Sequence, residues 1–168
     1  MSKRIVRSYG GSNRLLDALS SVFVLEAIKP SEKIYIISPW ITNSVIIDNY
    51  TNNYSSLFPF SDQKEIYLSD FIELCVWRGT ECKIITRMHG ESTKRFYNNM
   101  KDIVEFRQSN IEHAKTFITN NFYIKGSMNF TKSGIHFNGE SIDISTDESE
   151  ISESIITAQE IWGDSREI

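Results

Sequence analysis

A short stretch in the second half of the chain, EHAKTFITNNFYIKGSMNFT (112–131), holds residue types that suit chemistry on a phosphate. His113 and Lys115 are separated by one residue, and Ser127 and Asn129 repeat that spacing. Lysine provides a positive charge, and serine and asparagine provide neutral donors, so together they would hold an anionic phosphate. Histidine can attack phosphorus as a nucleophile or transfer a proton. A polar surface hairpin would have the same composition, so the surrounding elements must decide between the two interpretations.

The same stretch predicts a β-hairpin. The segments HAKTFIT and FYIKG flank an Asn-Asn pair at 120–121, which indicates a tight turn. Because successive side chains of a strand alternate between faces, His113 and Lys115 should share one face. Pairing of His113 with Asn129 also pairs Lys115 with Ser127 and would place all four side chains around one point. This register requires a loop of odd length or a bulge.

The rest of the chain predicts an α/β fold that would position the hairpin. Helical periodicity covers 13–29, 66–79, 92–100 and 152–162. Short β-branched or apolar segments predict further strands at 33–38, 82–86, 103–107 and 141–146. Segment 49–64 is polar, aromatic and irregular, which suits an ordered loop or flap. We therefore expect a mixed β-sheet sandwiched between helices on both faces, in a single domain spanning 1–168.

Composition excludes several other classes of protein. The chain has 168 residues, of which 40% are hydrophobic and 24% charged, as in globular domains with a sizeable core. No apolar stretch approaches the roughly 20 residues that span a membrane, and the N-terminus lacks the apolar core of a signal peptide. We expect a cytoplasmic protein without membrane association. Cys75 and Cys82 provide neither a disulfide framework nor a metal-binding spacing, and Cys75 lies in an apolar pattern typical of a buried thiol.

The charge is distributed unevenly. Residues 139–168 contain nine acids and one base, a net charge of −8, whereas residues 1–138 contain 17 bases and 13 acids, a net charge of +4. A mildly basic body is compatible with nucleic acid at a local patch. A solvated acidic face on the last helix would explain the asymmetry equally well.

The phosphate-type residues resemble the motif of a known family. His113-x-Lys115 followed by Gly126-Ser127-x-Asn129 is similar to the HKD motif of the phospholipase D superfamily. The resemblance extends over roughly residues 10–160, and its most specific part is the segment that begins at His113 and ends at residue 140.

Two further segments add to the resemblance. Asn138-x-Glu140 is similar to the family's Asn-x-Glu, and IYIISPWIT (34–42) resembles its first-strand signature, which would place Ser38 and Trp40 near the site. Two features depart from the motif. Asn120 (or Asn121) stands where the family has an aspartate, and the stretch between Lys115 and Gly126 is one residue shorter than the common pattern. In the family that aspartate is mainly supporting.

The resemblance implies a phospholipase D-like α/β/α fold and a metal-independent phosphodiesterase that needs no cofactor. It implies that His113 forms a covalent phosphohistidine, which water then releases. Lys115 and Asn129 would bind the non-bridging oxygens, Ser127 would donate to the phosphate, and Glu140 would hold the orientation of His113.

The family's chemistry uses two histidines, but this chain has one motif. His89 and His136 lack a lysine two residues later. Short members of the family with a single motif are homodimers with the site on the two-fold axis. We therefore expect a homodimer in which His113 and its symmetry mate act as nucleophile and acid.

Several other residues are candidates for substrate binding. Basic side chains that could neutralise the phosphates of a nucleic-acid backbone are Arg87, Lys94, Arg95 and Lys132, with scattered surface bases as the alternative. Trp40 and Tyr50 could stack on a base, although core packing is the stronger expectation for Trp40.

Three functions remain open at this point. The first is a nuclease that cleaves DNA or RNA. The second is a catalytically degenerate module that binds nucleic acid or forms the scaffold of a larger complex, motivated by asparagine in place of aspartate. The third is a phospholipid hydrolase, against which the lack of a basic amphipathic helix argues. A larger complex that supplies targeting is a further candidate partner.

Overall fold

An eight-stranded mixed sheet organises the computed structural model, which describes residues 3–7, 14–59, 64–110, 113–136 and 139–168. The strands are β1 (Lys3–Arg7), β2 (Lys33–Ile37), β3 (Val45–Asp48), β4 (Glu65–Tyr67), β5 (Glu81–Thr86), β6 (Glu105–Gln108), β7 (Thr116–Ile118), β8 (Tyr123–Gly126), β9 (Ser141–Ser145) and β10 (Arg166–Glu167). The order in the main sheet is β1-β9-β8-β7-β2-β5-β6-β10, and β3 pairs with β4 in a separate ribbon. Strands β2, β5 and β6 are parallel, and the remaining pairings in the main sheet are antiparallel.

Helices cover both faces of this sheet. They are α1 (Arg14–Ile28), α2 (Leu68–Trp77), α3 (Glu91–Met100), α4 (Lys132–His136) and α5 (Glu148–Asp164). Helices α1 to α4 pack into a core with Ile34 and Ile36 of β2, whereas Ala158 of α5 packs against Tyr35 and Ile37 on the opposite face. The prediction of a mixed sheet between helices on both faces is confirmed.

The apolar pattern of α1 explains how the larger core forms. Leu15, Leu19, Phe23 and Ala27 recur every fourth residue, so they form one stripe, and all four are fully buried. The ring of Phe23 lies 5.0 Å from that of Phe117 on β7, in an edge-to-face arrangement. The core therefore fixes the strand that follows His113 and Lys115.

The hairpin has a different register from the predicted one. Thr116 pairs with Lys125 and Ile118 pairs with Tyr123, so Lys115 lies opposite Gly126, whose N–H donates to the Lys115 carbonyl at 3.2 Å. The prediction that Lys115 pairs with Ser127 is wrong by one residue. The physical reason is the turn, since two residues at 120–121 close the loop without a bulge.

Other elements also differ from the sequence-based expectation. Ile66 belongs to β4 and not to the second helix, which begins at Leu68. The last helix begins earlier than predicted because Asp147 caps it by accepting hydrogen bonds from the backbone N–H groups of Ser149 and Glu150.

The irregular loop expected within 49–64 is observed over 49–59, where Asn49 Oδ1 accepts a hydrogen bond from Tyr54 N at 2.9 Å. Both cysteines are buried, and burial raises the pKa of Cys75 to about 12 and raises the pKa of Cys82 as well. In the part of the chain that the structure describes, no helix has the length and apolar character needed to cross a membrane.

Candidate active site

The backbone around His113, Lys115, Ser127 and Asn129 comes together because several strands end or begin at the same edge of the sheet. Strand β2 ends at Ile37 opposite Thr116, the first residue of β7, and β8 ends at Gly126 opposite Ile142 of β9. Strand β5 ends at Thr86 at the same edge, since it runs parallel to β2. The carboxyl ends of parallel strands are the usual location of sites in α/β proteins. This edge, where β2 and β5 end and β7 begins, is termed the active edge.

His113 lies at the active edge in contact with an arginine. Nη2 of Arg87 is 3.1 Å from Nδ1 and 3.0 Å from Nε2 of the imidazole. A nitrogen that is equally close to both ring nitrogens lies above the ring plane, because a position in the plane would clash with ring carbon. The same guanidinium lies 5.7 Å from the ring centroid of Trp40. The sequence did not predict that Arg87 contacts His113.

Lys115 and His113 are joined through the backbone. Nζ of Lys115 donates a hydrogen bond to the His113 carbonyl at 3.1 Å, which directs the ammonium toward the histidine. His113 is exposed and Lys115 is half-buried. A positive charge therefore lies beside the backbone of an accessible histidine, where it could attract an anionic substrate.

Ser127 is joined to Glu140 by a hydrogen bond. Its hydroxyl donates to Glu140 Oε2 and accepts from Ser141 N at 3.1 Å. Because a hydroxyl has one proton, Ser127 cannot donate to a phosphate while it donates to Glu140. The orientation of His113 by Glu140 stays a prediction, and Asn138 lies outside the described residues.

Asn129 is held by its backbone at the active edge. Its carbonyl accepts from Thr131 N at 2.8 Å, and a Cβ added at Gly134 would lie 2.3 Å from that carbonyl oxygen. Its side-chain Oδ1 is buried and has no hydrogen-bond partner among the described residues. The position is fixed, while the amide retains capacity for a bound group.

Gly126, the last residue of β8, lies very close to the backbone of β9. A Cβ at this position would lie 2.1 Å from the backbone oxygen of Ser141. No side chain fits there without displacing β8 from β9. This steric restriction explains why the residue before Ser127 is a glycine.

Ser38 and Trp40, two residues predicted to lie near the substrate, differ from expectation in how far they are buried. Ser38 is 1% exposed, its hydroxyl donates to the Trp40 carbonyl at 2.7 Å, and it accepts from Phe130 N at 3.3 Å, so it ties β2 to the segment after Asn129. This leaves Ser38 no surface for a substrate. Trp40 is 43% exposed, so the expectation of core packing for this residue is wrong.

Asn120 lies at the hairpin turn, at the opposite end of β7 from His113, with its backbone N–H donating to Ser31 Oγ at 2.8 Å. It is the neighbouring Asn121 that anchors the turn, because its Nδ2 donates to the buried Glu26 at 2.8 Å and to the Lys29 carbonyl at 2.7 Å. Neither asparagine reaches the active edge.

The remaining basic and histidine candidates are spread over the surface. Lys94 and Arg95 are exposed on α3, where Lys94 lies 3.5 Å from Glu91, and Lys132 is exposed at the start of α4. His136 lies 3.1 Å from the Val45 carbonyl through Nε2, and His89 is exposed. The described ranges contain no group of three or more His, Cys, Asp or Glu side chains arranged to hold a metal ion.

Proteins of known structure share this fold. Nuc from Salmonella typhimurium, a phospholipase D family member, is 19% identical over 99% of this chain and 97% of its own, with a TM-score of 0.65. NucT from Helicobacter pylori is 13% identical over 99% of this chain and 100% of its own, with a TM-score of 0.65. TrmBL2, an archaeal chromatin protein with a novel mode of DNA binding, is 14% identical over 99% of this chain and 54% of its own, with a TM-score of 0.54. Neither a protein-family model nor a curated protein matches the sequence. At sequence identities this low, the structural similarity establishes a shared fold and nothing more.

Proposed function

We propose that this chain, whose fold is that of the phospholipase D superfamily, is a metal-independent phosphodiesterase that cleaves DNA or RNA. The observation that carries the proposal is that the backbone segments bearing His113 and Lys115 and those bearing Ser127 and Asn129 meet at one edge of the sheet. These side chains provide a nucleophile, a cation and two neutral polar groups beside an exposed surface. The shared fold of Nuc and NucT supports the same interpretation.

The proposed reaction has two steps that exchange bonds at phosphorus. Nε2 of His113 attacks phosphorus and forms a P–N bond, while the P–O bond to the leaving nucleotide breaks and its oxygen takes a proton from the partner subunit's His113. Water then attacks phosphorus, the P–N bond breaks, and the partner subunit's His113 takes the proton from water. Lys115 and Asn129 stabilise the charge on the non-bridging oxygens throughout.

The homodimer is part of this proposal, because one chain carries one motif and the reaction needs two histidines. A self-complementary interface around a two-fold axis would bring the two His113 side chains together. The cytoplasmic location and the single domain over 1–168 stay predictions from the sequence.

The test is cleavage in excess EDTA. Labelled single-stranded and double-stranded DNA and RNA are incubated with wild type and His113→Asn, and the products are separated on denaturing gels while intact mass is measured on the protein. We expect cleavage by wild type alone, together with a protein mass increased by a covalently attached oligonucleotide fragment early in the reaction. Equal activity of the two proteins would refute the role of His113. Fluorescent phosphatidylcholine serves as the lipid comparison, and its hydrolysis would favour a phospholipid hydrolase.

A second candidate is a module that binds nucleic acid without cleaving it. Two contacts favour it, since Arg87 lies against both ring nitrogens of His113 and the Ser127 proton is directed to Glu140. TrmBL2, which binds DNA, has a similar fold. Tight binding by wild type with no turnover of any of the four substrates would favour this candidate over the nuclease.

A further inference from the structure

Trp40 is a large aromatic residue that the fold leaves partly uncovered at the active edge. Its 43% exposure contrasts with the residues on either side, since Pro39 and Ile41 are buried. Single exposed tryptophans are common on protein surfaces, but this one contacts Arg87, which in turn contacts His113. The indole is therefore two contacts away from the proposed nucleophile.

The segment that carries Trp40 is fixed on both sides. Arg87 N donates to the Pro39 carbonyl at 3.2 Å, and the Thr86 hydroxyl donates to the same carbonyl at 3.3 Å. The Trp40 carbonyl accepts from Ser38, and Ile41 forms a bridge with Phe130. A backbone fixed in this way restricts the positions that the indole can take before a ligand arrives, which limits the entropy lost on binding.

We propose, on the basis of the proposed function, that Trp40 and Arg87 form a nucleotide platform that selects strands with unpaired bases. Trp40 stacks on a base next to the scissile phosphate, and Arg87, which lies over the His113 ring, donates a hydrogen bond to a non-bridging oxygen of that phosphate. The substrate class is then single-stranded nucleic acid, or a duplex that is locally open.

The stacking argument follows from what a base can present. Inside a duplex both faces of each base are covered by its neighbours, whereas in a single strand a base can turn out and expose a face. Base–aromatic stacking is tolerant of sequence, because every base has a π-face. An indole at this position therefore discriminates by strandedness and not by sequence.

The role of Arg87 follows from its position over the imidazole. Nη2 lies within 3.1 Å of both ring nitrogens and above the ring plane, so it leaves open the in-plane direction from which Nε2 would attack phosphorus. An arriving phosphate offers the guanidinium an anionic acceptor, and hydrogen bonds to an ionised group are stronger than those between neutral groups. The guanidinium would then hold phosphorus beside His113.

The test compares a single-stranded oligonucleotide with a strand of the same length in which every base is missing. Both strands carry the same phosphates, so a difference between them reports on the bases. Dissociation constants are measured by fluorescence anisotropy in EDTA on the His113→Asn background, where the strand stays intact, and cleavage is measured in parallel with His113 present. The variants are Trp40→Leu, Trp40→Phe and Arg87→Gln. Trp77→Leu is the matched control, because Trp77 is 67% exposed on α2 but lies away from the active edge.

We expect the strand with bases to bind about 5-fold to 150-fold more tightly than the strand without them, the range that stacking of one base gives. Trp40→Leu should abolish this preference, Trp40→Phe should keep most of it, and Trp77→Leu should not change it. Arg87→Gln should weaken binding of both strands to a similar extent. Single strands should be cleaved faster than duplexes.

The platform is overturned if Trp40→Leu keeps the preference for the strand with bases, or if wild type shows none. Such a result together with cleavage by wild type would leave the nuclease proposal in place. Conversely, a Trp40-dependent preference without cleavage of any substrate would retain the platform and remove the proposed chemistry.

Discussion

At the scale of the residue, the adjacent Asn120 and Asn121 should contribute very differently to stability. We expect Asn121→Asp to destabilise the protein by about 1–3 kcal/mol, because it replaces a donor to the buried Glu26 carboxylate with a second carboxylate. Asn120→Asp should be close to neutral in stability, since the Asn120 side chain is exposed. Urea unfolding of the two variants beside wild type measures the difference.

The matched pair also tests the departure from the family motif. If asparagine in place of aspartate disabled the site, Asn120→Asp or Asn121→Asp would raise phosphodiesterase activity. We expect neither to do so, because both residues lie at the far end of β7 from His113. A gain in activity with either variant would mean that the turn communicates with the active edge.

Residue types and spacing were enough to predict the resemblance to the phospholipase D superfamily, which is confirmed at the level of the fold. They could not predict that Asn121 bonds to Glu26, 95 positions earlier, or that Arg87 lies against His113. Each contact depends on which strands become neighbours. Spacing along the chain carries no direct signal of that order.

At the scale of the element, the close approach of β8 to β9 requires a glycine at position 126. Gly126→Ala adds a methyl group 2.1 Å from the backbone oxygen of Ser141, so β8 and β9 must separate where they meet the active edge. We expect a loss of about 1–3 kcal/mol in stability and a larger relative loss of activity, because Ser127 and Asn129 follow directly. Thermal unfolding and the EDTA cleavage assay measure the two effects.

Gly163→Ala is the control for this substitution. A Cβ at Gly163 would meet no atom within 4 Å, and the position lies in α5. The same chemical change should therefore raise stability by about 0.4–1 kcal/mol and leave activity unchanged. A Gly126→Ala variant as stable and as active as wild type would contradict the steric argument.

Elements with strong periodicity were predictable, whereas their junctions were not. Helix α1 and strands β2 and β5 lie where the apolar pattern placed them, within a residue or two. Ile66 was assigned to a helix because it continues an apolar pattern, but pairing with Ile47 draws it into β4. The hairpin register depended on whether two or three residues form the turn, a choice that alternation alone does not determine.

At the scale of the whole molecule, the sheet separates the acidic helix from the proposed site. Helix α5 contains Glu148, Glu150, Glu153, Glu160 and Asp164, and it packs on the face of β7 that presents Ala114 and Ile118. Lys115 has the opposite parity and shares its face with Phe117, in the core formed with α1 to α4. The sheet therefore lies between most of the acidic side chains of α5 and the basic groups at the active edge.

The remaining prediction concerns the number of chains in one site. If two His113 side chains act together, a dimer of one wild-type and one His113→Asn subunit is inactive, and an equal mixture after subunit exchange retains about a quarter of the wild-type activity. Independent sites in each chain would retain about half. Cleavage is measured across mixing ratios, with Trp77→Leu in place of His113→Asn as the control, and sedimentation confirms a dimer throughout. A linear decline with the wild-type fraction would place the second proton donor within the same chain and end the shared-site model, while a quadratic decline supports it.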